Sequence, residues 1–228
     1  MNAIILAAGS QVRFDTQTPK GLMPINGVPI IELNIRILSD YVEAIFVVAS
    51  NDNYSRFKYL EERYAQVEVI QIEAGGGTAV SLTRAKKEDI LVDDFVLLWS
   101  DALNCYHSIL DDFYYVEEDT FVVPVVKEKD PYVQFIPNKD NSISKIKFKK
   151  LGEKTSKVGL HDLSVFYVPM CHTLDIDNYY KEEFKHDFNF LYLYKYYEQF
   201  KEKSVIKEYS GIKDMSFNTL EEYYRISS

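Results

Sequence analysis

The chain has 228 residues, 46% of them hydrophobic, with 14 Phe, 18 Tyr and a formal net charge of −9. This composition supports a sizeable core and excludes bulk disorder, and the acidic balance excludes a nucleic-acid partner, which basic faces bind. Two cysteines, Cys105 and Cys171, make neither a disulfide framework nor a zinc site; no apolar run is long enough to span a bilayer, and the first ten residues lack the basic start and long apolar stretch of a signal peptide, so a soluble cytoplasmic protein is expected.

Continuous apolar runs at 2–7 (NAIILA), 43–49 (EAIFVVA), 66–72 (QVEVIQI) and 94–99 (DFVLLW) suit strands buried on both faces of a parallel sheet. Between them lie helical patterns at 29–40, opened by Pro29, at 53–65, and at 78–88 after the glycine triplet Gly75–Gly77. This alternation predicts right-handed crossovers and an α/β fold, Rossmann-like and three-layered, around a central, mostly parallel mixed sheet. The second half reads as strands at 120–127, 131–137, 142–148 and 163–168, with a hairpin turn at 138–142. A helix over 187–203, a short strand (SVIKEYS) and a terminal helix from about Thr219 follow. With no repeat or linker, one domain over 1–228 is expected, parallel over 1–119 and mixed over 120–228.

Ligands bind at the carboxyl ends of the strands in such sheets. The stretch after Ala7 lies there and carries Gly9, Arg13 and Lys20. Backbone amides in a tight loop cradle phosphate, glycine permits close approach, and Arg and Lys supply a planar fork and a mobile point charge. An anionic ligand explains this loop better than packing does. The dinucleotide pattern G-x-G-x-x-G and the P-loop are both absent, and His107, His161, His172 and His186 share no ligand spacing, so no metal is assigned to them.

Leu6-Ala7-Ala8-Gly9, Arg13, Pro19-Lys20, Leu22 and the run 25–32 (INGVPIIE) together resemble the signature of the nucleotidyltransferases that activate sugar phosphates and related small phosphates, of MobA-like, GT-A-like type. In length, and in the SL and NTLEEYYRI segments, the chain is most similar to the short CTP:phosphocholine cytidylyltransferases of bacterial surface-polysaccharide pathways. The resemblance implies that residues 1–119 bind the nucleotide and 120–228 the acceptor. It implies transfer of a nucleoside monophosphate, CMP from CTP, to a phosphorylated small molecule with release of pyrophosphate. Arg13, Lys20 and Asp101 would be catalytic, and Leu6, Ala7, Ala8, Gly9, Ser10, Gln11, Gly76, Gly77 and Thr78 would line the nucleotide. Asp101 would hold Mg²⁺, with Asn218 or Asp214 as second ligand, and a homodimer is compatible. Lys150 would bind the acceptor, although Lys145, Lys147, Lys149 and Lys150 also read as a solvated strand face. Asp162, where sugar-using relatives carry a small residue, would pair with a cationic or amide-bearing acceptor, helped by Tyr167 and the tyrosines of 192–197, or else cap a turn. Two readings stay open beside this one: a sugar-1-phosphate nucleotidyltransferase using UTP, dTTP or GTP, and a nucleotide-binding protein whose catalysis Gln11 and Asn218 weaken.

Overall fold

The computed structural model describes residues 1–9, 18–86, 88, 90–91, 93–149, 157–174, 176–181, 187–217 and 219–227. Ser10, Gln11, Arg13, Lys150 and Asn218 lie outside the described residues. The first strand, Asn2–Ala7 (β1), shows why its sequence is apolar throughout. Ile4 and Leu6 enter one core while Ala3, Ile5 and Ala7 enter another, so neither face of the strand meets water.

A 3-10 turn at Lys20–Leu22 leads into the hairpin Pro24–Ile25 (β2) and Val28–Pro29 (β3). Asn26 and Gly27 close it at φ 50° and 79°, the paired left-handed conformation that an Asn-Gly turn supplies. Next come Ile30–Leu38 (α1), Ile45–Ser50 (β4), Tyr54–Phe57 (α2), Tyr59–Arg63 (α3), Val67–Ile72 (β5), Thr78–Lys86 (α4), Phe95–Trp99 (β6) and His107–Phe113 (α5). The second half holds Phe121–Lys129 (β7), Val133–Pro137 (β8), Ile143–Phe148 (β9), Val158–Asp162 (β10), Val165–Val168 (β11), Tyr192–Tyr196 (α6), Glu198–Glu202 (α7), Ser204–Glu208 (β12) and Leu220–Ser227 (α8).

The strands form a ten-stranded sheet in the order β5-β4-β1-β6-β11-β7-β10-β8-β9, with β12 paired to β7. β5, β4, β1 and β6 are parallel neighbours, as is the β12–β7 pair, and the remaining pairings are antiparallel. α1, α2, α3 and α5 pack on one face, and α4, α6 and α7 on the other. The fold is therefore the expected mixed α/β, Rossmann-like arrangement. The parallel half sets the carboxyl ends of β1, β5 and β6 along one edge of the sheet.

Local expectations differ in four places. The helix expected over 53–65 is α2 and α3, parted only at Lys58, which keeps helical angles. The helix expected over 187–203 is α6 and α7, broken at Tyr197 (φ −123°, ψ 120°). Packing imposes that break: Tyr194 stacks on Phe121 with centroids 3.8 Å apart, and Phe200 meets His172 edge-on at 5.2 Å. The strand expected at 163–168 is β11, which begins only at Val165 because Ser164 turns at φ 58°, and β10 just before that turn was not anticipated. The β2–β3 hairpin and α5 were not anticipated.

Candidate active site

Lys20 opens the turn after β1, and its position is set by a close approach. Leu22 N donates to Pro19 O at 2.8 Å and Met23 N to Lys20 O at 3.0 Å. The turn packs so tightly on the end of β6 that a Cβ at Gly21 would lie 3.0 Å from both Cβ and the carbonyl oxygen of Ser100. Only glycine fits this contact without a shift. The neighbour of Ser100 is Asp101, and Lys20 Nζ donates to Asp101 Oδ2 at 2.9 Å. Nζ also donates to the carbonyl of Phe217 at 3.2 Å and lies 5.7 Å from its ring centroid. Residues 81 and 197 positions away from Lys20 in sequence thus meet on one ammonium.

Asp101 is held from behind. Ser100 N donates to Leu6 O at 3.1 Å, which extends the β1–β6 ladder. Asn34 Nδ2, fully buried on α1, donates to Ala102 O at 2.7 Å. Phe217 is held by a small separate core of Ile25, Ile30, Phe217 and Tyr223, while Tyr223 Oη donates to Pro24 O at 2.5 Å. Through it α8 and the β2–β3 hairpin brace each other beside Lys20.

Of the other expected residues, Leu6, Ala7 and Ala8 are buried at the end of β1, and Gly9 faces open space. Gly75, Gly76 and Gly77 run at φ 85°, 90° and 90°. A Cβ on Gly77 would fall 2.6 Å from Phe188 O. Arg84 Nη1 gathers the turn from below, donating to Glu73 O at 2.6 Å and Gly75 O at 3.0 Å. Thr78 Oγ1 accepts from Phe190 N at 2.8 Å. This turn follows β5, whose carboxyl end lies at the same sheet edge as Lys20 and Asp101, with β4 between β5 and β1.

Asp162 is buried at the end of β10, where its Oδ1 accepts from Ser164 N at 3.0 Å. Burial pushes its carboxyl up, against the pull of His161. Tyr167 Oη donates to Asp94 Oδ2 at 2.7 Å, at the far end of β6 from Asp101. Lys195 Nζ lies 4.8 to 5.4 Å from the rings of Tyr196, Phe148 and Tyr192, so the aromatic face of this run is already engaged by a lysine. Asp214 has both oxygens engaged, by Asn104, Ser216 and His161.

The sequence reading missed His161. Its imidazole, Glu128 and Asp214 present ligand atoms within 4.8 Å of one another. Burial alone would depress the His161 ring, but the hydrogen bond to Asp214 and the charges of Asp162, Asp214 and Glu128 overcome it and push it up to about 10. The signal was cross-strand: His161 pairs with Val126, which places Glu128 on its diagonal.

The sequence pattern of the MobA-like NTP transferase domain matches residues 3–142. The bifunctional protein GlmU of Methanococcus maripaludis is 35% identical over 106 residues, which are 45% of this chain and 25% of that protein. The chain thus aligns with only about a quarter of the curated relatives it matches. Among solved structures, a CTP:phosphocholine cytidylyltransferase from Streptococcus pneumoniae superposes with a TM-score of 0.80 at 21% identity, covering 99% of this chain and 97% of the other. An inositol-1-phosphate CTP transferase from T. maritima gives 0.79 at 16% identity, covering 99% and 94%. At these identities the structural likeness speaks for the fold.

Proposed function

Because the chain belongs to the family of MobA-like NTP transferase domains, we propose that it transfers a nucleoside monophosphate from a nucleoside triphosphate to a phosphorylated small molecule, releasing pyrophosphate. The observation that carries this reading is the meeting of Lys20, Asp101 and the Phe217 carbonyl at the carboxyl edge of the parallel strands. Such a reaction brings two anions together, so local cations must offset their repulsion. The whole chain is acidic, yet it places an ammonium at this edge.

In this reading an oxygen of the acceptor phosphate attacks the α-phosphorus. The bond from that phosphorus to the bridging oxygen of the β-phosphate breaks, and pyrophosphate leaves with the electron pair. Lys20, a mobile point charge, moves onto the α-phosphate and the attacking oxygen. Arg13 serves the leaving pyrophosphate, and the amides after Ala7 cradle the triphosphate. The turn Gly76–Thr78 lies beside the base. The donors near Lys20 also suit a hard divalent cation: the Asp101 carboxylate and Phe217 carbonyl are both oxygen ligands, and both already face a positive charge. Asp101, with Asn218 directly after Phe217, would hold Mg²⁺. Bound there, the ion would neutralise charge on the triphosphate.

The nucleotide in this proposal is CTP and the acceptor carries a cationic or amide-bearing head, in keeping with the phosphocholine enzyme of the same fold. Decoration of a surface polysaccharide is the role that fits such a product. The test is pyrophosphate release with each of CTP, UTP, GTP and dTTP, against phosphocholine, phosphoethanolamine and glucose 1-phosphate. Release with CTP and an amine-bearing acceptor is expected. Preference for glucose 1-phosphate would move the assignment to a sugar-phosphate substrate, and no release with any pair would reject the activity.

A further inference from the structure

The stretch between β12 and α8 must deliver Phe217 to Lys20, yet it is irregular. Among the described residues, an isolated bridge between Ala102 and Ser216 ties it to a neighbouring strand end. Asp214 supplies the order that regular structure does not. Its Oδ1 accepts from Asn104 Nδ2 at 2.5 Å and from Ser216 N at 2.9 Å, and its Oδ2 accepts from Ser216 Oγ at 2.7 Å. Asn104 completes the exchange by accepting from Met215 N at 2.7 Å. Asn104 is buried, three residues beyond Asp101, so the loop is clamped to the same strand end that carries the carboxylate.

The other side of Asp214 faces His161, whose Nε2 lies 3.5 Å from Oδ2 and 3.7 Å from Glu128 Oε2. His161 Nδ1 is 3.0 Å from the carbonyl of Val133. A carbonyl only accepts, so Nδ1 is the donor there and the ring is fixed with Nε2 toward Asp214. Asp214 is therefore a junction of three parts of the chain: the end of β6, the strands β7, β8 and β10 of the second half, and the Phe217 loop.

We infer that His161 and Asp214 are a positioning pair, holding the Phe217 carbonyl against Lys20 beside Asp101 and tying that point to the second half of the sheet. The inference rests on the proposed activity and deepens it. Neither residue is a catalytic residue; both act through the loop they anchor. The competing explanation is a buried ion pair that only stabilises the fold. The two differ in what a folded variant does. A stabilising pair lowers the unfolding temperature and leaves turnover of the folded protein unchanged. A positioning pair lowers kcat with little change in nucleotide KM, because the Gly75–Thr78 turn is built by Arg84 and Phe188 and not by this loop.

The experiment compares wild type with Asp214→Asn, His161→Ala and His161→Gln, all as the full chain, after thermal unfolding has identified the folded variants. Steady-state pyrophosphate release is one readout. The other is binding of Mn²⁺ alone, followed by quenching of Trp99, the single tryptophan, which lies two residues before Asp101. Asp214→Asn is expected to lower kcat about 100-fold, the scale of a displacement near 1 Å at the reacting centre. It should also weaken Mn²⁺ binding about tenfold, the scale for loss of a group that orients a ligand. His161→Ala should do the same in smaller measure, and His161→Gln, which keeps a donor to Asp214, should recover most of the loss. Wild type that neither releases pyrophosphate nor responds to Mn²⁺ would reject the proposed activity itself. Active wild type with His161→Ala and His161→Gln both folded and within about twofold of it in kcat and Mn²⁺ response would overturn the positioning role, whether or not Asp214→Asn folds.

Discussion

Replacing Lys20 with Ala removes the ammonium that joins Asp101 to Phe217. The pair is well sheltered, with side chains 14% and 28% exposed and 2.9 Å between charged atoms. At an effective dielectric near 20, that separation corresponds to roughly 5–6 kcal/mol of gross attraction. Desolvation of both ions offsets most of it, leaving about 1–2 kcal/mol of net stability. The unfolding temperature should therefore fall by only about 3–6 °C in a chain of this size. Turnover should fall much further, by about 10²–10³-fold, the scale for removing one donor aimed at transition-state charge. KM for the nucleotide should change little, since the proposed function has the base and most of the triphosphate held elsewhere. Lys20→Arg should not restore activity, because a planar guanidinium fork does not replace a compact, mobile point charge. Thermal unfolding and steady-state pyrophosphate release on the two variants measure all of this. Turnover of Lys20→Ala within about threefold of wild type would refute the phosphate role, and a fall of 15 °C or more, well beyond about 1–2 kcal/mol, would show that the lysine serves the fold first.

Asp101→Asn should abolish Mn²⁺-dependent activity while leaving the chain folded, checked by titrating metal against pyrophosphate release and by circular dichroism. Gly77→Ala places a Cβ against the Phe188 backbone at φ 90° and should cost about 2–4 kcal/mol, whereas Gly75→Ala, at φ 85° in open space, should cost about 1–2, both read by urea unfolding. Glu32, almost fully buried on α1, accepts from Tyr59 at 2.9 Å, Tyr64 at 2.8 Å and Arg63 at 3.1 Å, so Glu32→Ala should destabilise by about 3 kcal/mol in the same assay. Burial lowers the His172 imidazole from 6.5 to about 4, so the unfolded chain takes up a proton before the native one does. Stability should thus be lost as pH falls from 6.5 toward 4, by about 2 kcal/mol, and His172→Phe should flatten that part of the pH–stability curve.

The parallel half was legible in the sequence because most positions of its strands are buried on both faces and are therefore apolar, although Glu68 and Gln71 of the edge strand β5 are exposed. The runs at 2–7, 66–72 and 94–99 begin and end within a residue of β1, β5 and β6. The meeting of Lys20 with Asp101 was legible for a related reason: both follow parallel strands, and β1 and β6 are neighbours in register. The second half was less readable because its breaks come from tertiary contacts. Nothing local in LYLYKYYEQF marks Tyr197 as extended; the break follows from the demand that Tyr194 and Phe200 fill one core. Ser164 turns left-handed because Asp162 caps its amide, a contact that the apolar pattern of 163–168 conceals. The Asn26-Gly27 turn was a local signal that the sequence reading passed over. His161 was out of reach for spacing arguments, since its partners stand at 128 and 214 and meet it only through the β7–β10 pairing and the loop after β12.

These differences follow from how the site is divided along the chain. The first hundred or so residues build a rigid edge whose chemistry is local: a turn, a glycine contact, a carboxylate at a strand end. That edge alone gives a lysine paired with an aspartate, which is electrostatically satisfied and offers an incoming phosphate little net attraction. The Phe217 carbonyl adds an oxygen donor beside the same ammonium. In the proposed reaction that oxygen and the Asp101 carboxylate would serve a divalent cation, and the lysine charge would no longer have to serve Asp101 alone. With that cation bound, the C-terminal loop would change the edge from a neutral ion pair into a place where positive charge gathers. A loop of that consequence has to be positioned as firmly as a strand, and the buried Asn104–Asp214–His161 chain supplies that hold from both halves of the sheet.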